Sequence, residues 1–198
     1  MLKPKIFDLY DMEEIVVEDP GLKRVINLQT KLLLRSRGRL VEKYGKAKMN
    51  VVERLINLLN VPGHRGKKHR IITANASGKY NKNTKTVLEA FRIIEKRTKE
   101  NPVTVFVKAV ENACPRDEIT TIEYGGAKYP QAVDVSPLRR ISVALRNIVH
   151  GSYDKAFKKK TTIAQGLANE IVFAYQNSLD SFAVKKKSEI EKQADSAR

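Results

Sequence analysis

Residues 101–137 read NPVTVFVKAVENACPRDEITTIEYGGAKYPQAVDVSP, and the change of rhythm inside this stretch decides the fold. Asn101-Pro102 is a cap followed by proline at the first helical position, where a missing N–H costs nothing. Behind it Val103, Phe106, Val107, Val110 and Ala113 recur at helical spacing until Pro115. The period then drops to two over Ile119–Tyr124 and Ala132–Val135, and Gly125-Gly126 between them marks a β-hairpin with its tip over Gly125–Pro130. Ser136-Pro137 repeats the cap-and-proline start, so a helix carrying Ile141, Ala144, Leu145 and Ile148 leaves the hairpin.

Helical signals continue on both sides. Upstream, Val51, Val52, Leu55, Ile56, Leu58 and Leu59 form the apolar face of a short helix, which Val61-Pro62-Gly63 stops. A further helix is expected from about Thr84 to Lys99, with Val87, Ala90, Phe91 and Ile94 inward. Downstream, Thr162-Ile163-Ala164-Gln165 fits a capping box ahead of Leu167, Ala168, Ile171, Val172 and Tyr175. A more polar last helix is expected from Phe182 to about Ala194. The fold class is therefore mainly α: a bundle of about six helices with one protruding β-hairpin at about 119–135. Residues 51–198 form this helical domain, and residues 1–50 read as an N-terminal extension with a basic second half, lying over the core or over a ligand, with an extra element packed on the core as the alternative. Inside it, Asn27–Leu34 is short enough to be either helix or strand.

Charge bounds the function. Lys and Arg number 38 against 22 Asp and Glu in 198 residues, a net charge of +16. Such self-repulsion costs stability unless a polyanion neutralises it, and nucleic acid is the commonest one. No run approaches the ~18 apolar residues of a membrane span. The start, Met1-Leu2-Lys3-Pro4-Lys5, lacks the apolar region of a secretory signal. The single cysteine, Cys114, leaves no intramolecular disulfide and no cysteine-based zinc cluster. An intracellular, metal-free protein without cofactors is expected.

Four basic groups carry the binding expectation. Arg35, Arg37 and Arg39 alternate with small residues and continue through Lys43, Lys46 and Lys48, a pattern suited to an extended segment on a phosphate backbone. Tyr44 within it reads as a core residue, with base stacking as the alternative. The loop Gly63-His64-Arg65-Gly66-Lys67-Lys68-His69-Arg70 joins glycine, which allows close backbone approach, to cations that neutralise phosphate. From His64 to Lys85 there are seven Lys or Arg, including Lys79 and Lys82, and no acid. The loop lacks the GxxxxGK[ST] spacing of a nucleotide-binding P-loop. The hairpin tip offers Gly125, Gly126, Lys128 and Tyr129, a cation beside a ring on a protrusion, as probing RNA requires. Arg139, Arg140 and Arg146 follow on the helix, Arg139 and Arg146 on one side, with Lys155, Lys158, Lys159 and Lys160 in the next loop. Lys185–Lys187 open the last helix and read equally as solvating charge.

Catalysis is not expected. His64 and His69 are five apart in a glycine-rich loop and His150 stands alone, so no HExxH-type metal pattern exists. Cys114 ends an apolar helix face and reads as a small buried hydrophobe. Glu118, Glu123 and Asp134 read as strand-edge charges.

Several of these segments are similar to a known family. Gly125-Gly126-Ala127-Lys128-Tyr129-Pro130, Ala132-Val133-Asp134-Val135-Ser136-Pro137 and Arg139-Arg140 resemble the hairpin and following helix of universal small-subunit ribosomal protein seven. Val52-Glu53-Arg54-Leu55-Ile56-Asn57 resembles the family's first core helix, and Asn101-Pro102 through Glu111-Asn112-Ala113 its third. Val61–Lys68, Ala156–Lys160 and Ser188–Arg198 look like its archaeal and eukaryotic branch, whose long extension and enlarged 60–83 loop depart from bacterial members. The resemblance implies a structural, non-enzymatic constituent of the small ribosomal subunit in the cytoplasm. It further implies binding to the 3′ major (head) domain of small-subunit rRNA, a role in nucleating head assembly, and a place near the exit tRNA site and its mRNA. Neighbouring head and platform proteins are the implied protein partners. A freestanding RNA-binding chaperone using the same basic surface is the alternative, and an interaction module built on the last helix a more distant one.

Overall fold

The computed structural model describes residues 5–30, 41, 43–65, 70–71 and 78–198, with the backbone alone at 64–65 and 70–71. Most of the helices start where a local device satisfies their first N–H groups. Asn50 accepts from the Val52 N–H to open α2, Val51–Leu58, and Glu53 in its first turn suits the helix dipole. A four-residue helix, α1 (Pro20–Lys23), precedes it, capped by Asp19, and a 3₁₀ turn follows over Gly45–Lys48. Asn101 accepts from the Val103 N–H ahead of Pro102 and opens α4, Pro102–Ala113. Thr162 and Gln165 make both bonds of the capping box of α6, Ile163–Tyr175. Ser181 accepts from Val184 to open α7, Phe182–Asp195. Ser136 differs: α5, Pro137–Ala156, begins at Pro137 as expected, but the Ser136 hydroxyl makes no capping bond.

Helix α3 runs Tyr80–Thr98, one turn earlier than its periodicity announces. The extra turn has no cap from Lys79; instead the Asn83 side chain donates to Asn60 at 2.7 Å, tying the helix start to the chain leaving α2. The connection between α2 and α3 also pairs two short strands, β1 (His64–Arg65) and β2 (Arg70–Ile71).

The hairpin is longer and tighter than expected. Its strands β3 (Asp117–Tyr124) and β4 (Ala127–Asp134) pair from Asp117↔Asp134 to Tyr124↔Ala127, leaving Gly125-Gly126 alone as the turn. Their φ values of 59° and 80° are those of a two-residue turn that follows the strand twist, and glycine adopts them without strain. Lys128, Tyr129 and Pro130 therefore lie in a strand, not in a tip. Pro130 faces Thr121, which by alternation from the Tyr124–Ala127 pair is a position making no ladder bonds, so its missing N–H is harmless. From Thr120 to Gln131 every residue is exposed, so this part of the hairpin stands away from the body. Its root is clamped to α7 and the residues after it: Glu191 accepts the Arg116 N–H at 3.0 Å, and Arg198, beyond the helix end, pairs with Asp117 at 2.7 Å.

The core lies among α2–α7, with Phe91 and Phe106 at its centre, 6.0 Å between ring centroids. Residues 5–26 belong to it. Ile6, Tyr10, Met12, Ile15, Val17, Leu22 and Ile26 are buried in the same cluster. This strap is irregular, and side chains of the body hold its backbone: Asn101 donates to the Asp11 carbonyl at 2.8 Å, and Glu111 accepts the Glu18 and Asp19 N–H groups at 2.8 and 3.0 Å. Helices α5 and α6 pack so closely at Gly166 that an added Cβ would stand 2.6 Å from the Ser152 carbonyl oxygen. Glu170, wholly buried, joins α5, α6 and α7 by accepting from Lys155 at 2.7 Å, the Ser181 hydroxyl at 2.7 Å and the Ala183 N–H at 3.0 Å.

Candidate nucleic-acid interface

The structure divides the expected binding residues by what answers their charge. Arg139 forms a two-bond fork with Glu118, at 2.6 and 2.7 Å. The Glu118 carboxyl lies below its ordinary range chiefly through that hydrogen bond, against a smaller upward push from burial. Arg140 donates to Asp19 at 2.7 Å and to the Pro115 carbonyl at 3.1 Å, and its side chain is 11% exposed. Burial pushes Asp19 up, and the bonds from Arg140 and the Gly21 N–H outweigh it, leaving the carboxyl below its ordinary value. Lys155 sits within α5, not in the following loop, where it answers Glu170 and lies 4.8 Å above the Phe173 ring. These three cations hold elements together. Lys186 and Lys187 are also engaged, with Glu189 and with the Asn112 carbonyl.

A second set has no such answer. Among the described residues, Lys46, Lys79, Lys82, Arg146, Lys159 and Lys160 take part in no ion pair, and all six are exposed. Lys43 and Lys158 lie over their neighbouring rings, Tyr44 and Phe157, at 5.4 and 5.6 Å. Tyr44 is 67% exposed, so it is presented to solvent and does not pack in the core as expected. Its φ of 62° turns the chain sharply into the 3₁₀ turn, which Asn27 pins by donating to the Lys48 carbonyl at 2.8 Å. Lys79 and Lys82 stand at the start of α3, the positive end of its dipole, where cations are unfavourable unless an anion lies near.

Tertiary structure brings part of this set together. Lys46, Tyr80 and Arg146 border one cleft, so the 3₁₀ turn, the start of α3 and the middle of α5 share a face. Lys158–Lys160 lie beyond the end of α5, whose last residue, Ala156, is about 25 Å along the helix from Arg139. Arg35, Arg37, Arg39, Lys67 and Lys68 lie outside the described residues, as do the side chains of His64, Arg65 and Arg70. On the hairpin, Ile122 and Tyr129 face each other, and Tyr124 shares their side, giving the arm one largely apolar face; Lys128 lies on the other, opposite Glu123.

One residue escaped sequence reading altogether. Arg54 is only 6% exposed, inside the unbroken buried run Val51–Ile56 of α2. The periodicity places it on the polar side of that helix; packing against α5, where it donates to the Ser142 hydroxyl, covers it. Burial lowers it to about 10. Cys114 is buried as expected, and burial pushes its thiol up to about 12, which leaves it unreactive. No group of three or more potential metal ligands occurs among the described residues, and none of their helices is long and apolar enough to cross a membrane.

A helical body with unanswered cations on its turns and a projecting two-stranded arm is the build of a protein that binds a polyanion. A family model described as ribosomal protein S7p/S5e matches residues 29–198. The chain is 51% identical over 198 residues to small ribosomal subunit protein uS7 of Nanoarchaeum equitans, covering the whole of both chains. It is 44% identical to the protein of that name from Thermoplasma volcanium, over 98% of this chain and 100% of the relative. The one from Methanothermobacter thermautotrophicus is 46% identical, over 97% and 98%. The chain belongs to the ribosomal protein S7p/S5e family.

Proposed function

We propose that the chain is a structural, non-catalytic constituent of the small ribosomal subunit in the cytoplasm, binding the 3′ major domain of its rRNA and nucleating assembly of the head. The observation that carries this reading is the uneven pairing of charge: the acids nearest the core are consumed within the chain, while among the described residues Lys46, Lys79, Lys82, Arg146, Lys159 and Lys160 take part in no ion pair and can face an external polyanion. In it Lys43, Lys46, Lys48, Lys79, Lys82, Arg146 and Lys158–Lys160 contact phosphates, together with the cations of the 31–40 and 64–77 segments. Arg139, Arg140 and Lys155 instead keep those contacts in place. Similarity along the whole length to small-subunit proteins weighs against a freestanding chaperone.

Hydroxyl-radical footprinting of the full chain on naked small-subunit rRNA tests this reading. Protection confined to the 3′ major domain is expected; weak, uniform protection along the RNA would favour the chaperone instead. The hairpin, clamped at its root and exposed beyond Thr120, reaches in this reading toward the exit tRNA site, its mRNA and a neighbouring head or platform protein. Deleting Ile122-Glu123 and Lys128-Tyr129 removes two facing pairs and keeps both the turn and the face alternation. Subunits should still incorporate that variant, with exit-site tRNA retention changed. Failed incorporation would make the arm an assembly anchor.

A further inference from the structure

Helices α2 and α5 do not close on each other along their whole length; between them lies a cleft of about 560 Å³, within the ~300–1,000 Å³ range of small-molecule sites. Arg54, Asn57 and Leu58 face it from α2, and Ser142, Leu145 and Arg146 from α5, the same i, i+3, i+4 spacing on each helix. Leu58 and Arg146, with Val61, also border the adjoining cavity, so the groove continues along α5. The chemistry of its lining is divided. Leu58, Val61 and Leu145 supply an apolar wall, Lys46 and Arg146 supply exposed cations, and no carboxylate lines it among the described residues.

Arg54 gives the cleft a direction. Its Nη2 donates to the Ser142 hydroxyl at 3.2 Å, but its Nη1, also buried, has no hydrogen-bond partner among the described residues. A desolvated guanidinium with an unused donor is costly in the protein alone, and a hydrogen-bond acceptor from outside would offset that cost. An acceptor next to an apolar wall and two surface cations describes a nucleotide: a flat, apolar-faced base with polar edge atoms, joined to a phosphate.

We propose that this cleft takes one unpaired nucleotide of the bound RNA, with its base against Leu58, Val61 and Leu145, its phosphate at Lys46 and Arg146, and Arg54 donating to the base edge from the floor. The inference rests on the RNA-binding reading above and adds a defined subsite to it. Phosphate neutralisation alone would need no cleft and no buried arginine; a base seated in the cleft would make use of both.

The test is a methyl-detected NMR titration of the full chain with the four nucleoside 5′-monophosphates, the corresponding nucleosides and inorganic phosphate. At least one monophosphate should shift the Leu58 and Leu145 methyls saturably, and neither its nucleoside nor phosphate should reproduce this at the same concentration. Absence of any such shift, or equal shifts with phosphate alone, overturns the proposal. Footprinting on rRNA with the same preparation separates the two readings: a footprint without nucleotide shifts breaks the cleft alone, and no footprint breaks the RNA reading itself. Arg54→Met should melt no lower than wild type and bind the monophosphate about tenfold more weakly or worse, the loss of a charge-assisted bond. If Arg54→Met melts well below wild type, Arg54 belongs to the fold, and the exposed Arg146→Gln decides: unchanged nucleotide binding there overturns the proposal.

Discussion

Two helix starts in this molecule carry like charge and differ in what answers it. Helix α5 opens with Arg139 and Arg140 in its first turns; α3 opens with Lys79 before it and Lys82 within it. Both placements oppose the helix dipole, which disfavours cations at an N-terminus. At α5 the chain supplies the remedy, Glu118 for Arg139 and Asp19 for Arg140. At α3, among the described residues, no carboxylate pairs with either lysine. Charge density in the sequence is thus the same kind of signal in both places and means opposite things. Where a carboxylate answers, the cation fastens the strap or the hairpin to the body. Where none answers among the described residues, the placement suits an anion from outside.

The contrast shows most strongly in RNA binding. With on the order of eight phosphate contacts, affinity should fall by roughly three to five orders of magnitude between 50 and 200 mM salt. Replacing Lys79 and Lys82 by Gln should reduce the slope of log affinity against log salt by about 2, at about 0.9 per lost contact. Arg139→Gln, whose partner Glu118 lies within the chain, should leave the slope nearly unchanged. Equal changes in the two variants would erase the distinction between the helix starts.

Stability should respond in the opposite sense. Arg140→Ala leaves Asp19 without its guanidinium partner and the Pro115 carbonyl without its donor. Because the pair is mostly shielded, the loss should be about 2 kcal/mol in urea unfolding of the isolated protein. The same pair sets a pH dependence. Asp19 and Glu118 both lie below ordinary carboxylate values when folded, so their contribution is complete above about pH 4, near the unfolded value, and is lost as pH falls through the folded values. Asp19→Asn should flatten the acid side of the stability curve, and an unchanged curve would show that Arg140 is held by Pro115 alone. Smallest of all, the Lys79→Gln and Lys82→Gln pair should raise the stability of the RNA-free protein by up to about 1 kcal/mol, since it removes cations from a positive helix end. A loss of stability would mean that α3 depends on them in a way its described contacts do not display.

Buried charge repeats the lesson. Glu170 has three donors, one from α5 and two from the start of α7, and among the described residues Arg54 has one partner and an idle Nη1. The first is complete within the chain; the second keeps an unused donor, which the proposed nucleotide would engage.

The sequence by itself determined the helical class, the hairpin and the starts of most helices, because these depend on interactions spanning a few residues. Asn101-Pro102, Thr162 with Gln165, and the glycine pair at 125–126 each act within one turn of chain, and the periods of the apolar residues report which face is inward. Only the tertiary structure decided where the strap runs, where α3 begins, and which cations are spent. The strap at residues 5–26 has no period to read, and its path is set by Asn101 and Glu111, about ninety positions away. The first turn of α3 is all polar after Tyr80 and is tied down by Asn60. Arg140 reads as a contact residue from its neighbours, yet its partner Asp19 lies 121 positions earlier in the chain. A local pattern can announce that a charge exists, but the carboxylate that neutralises it, or the cover that buries Arg54, comes from elsewhere in the chain and is brought there only by packing.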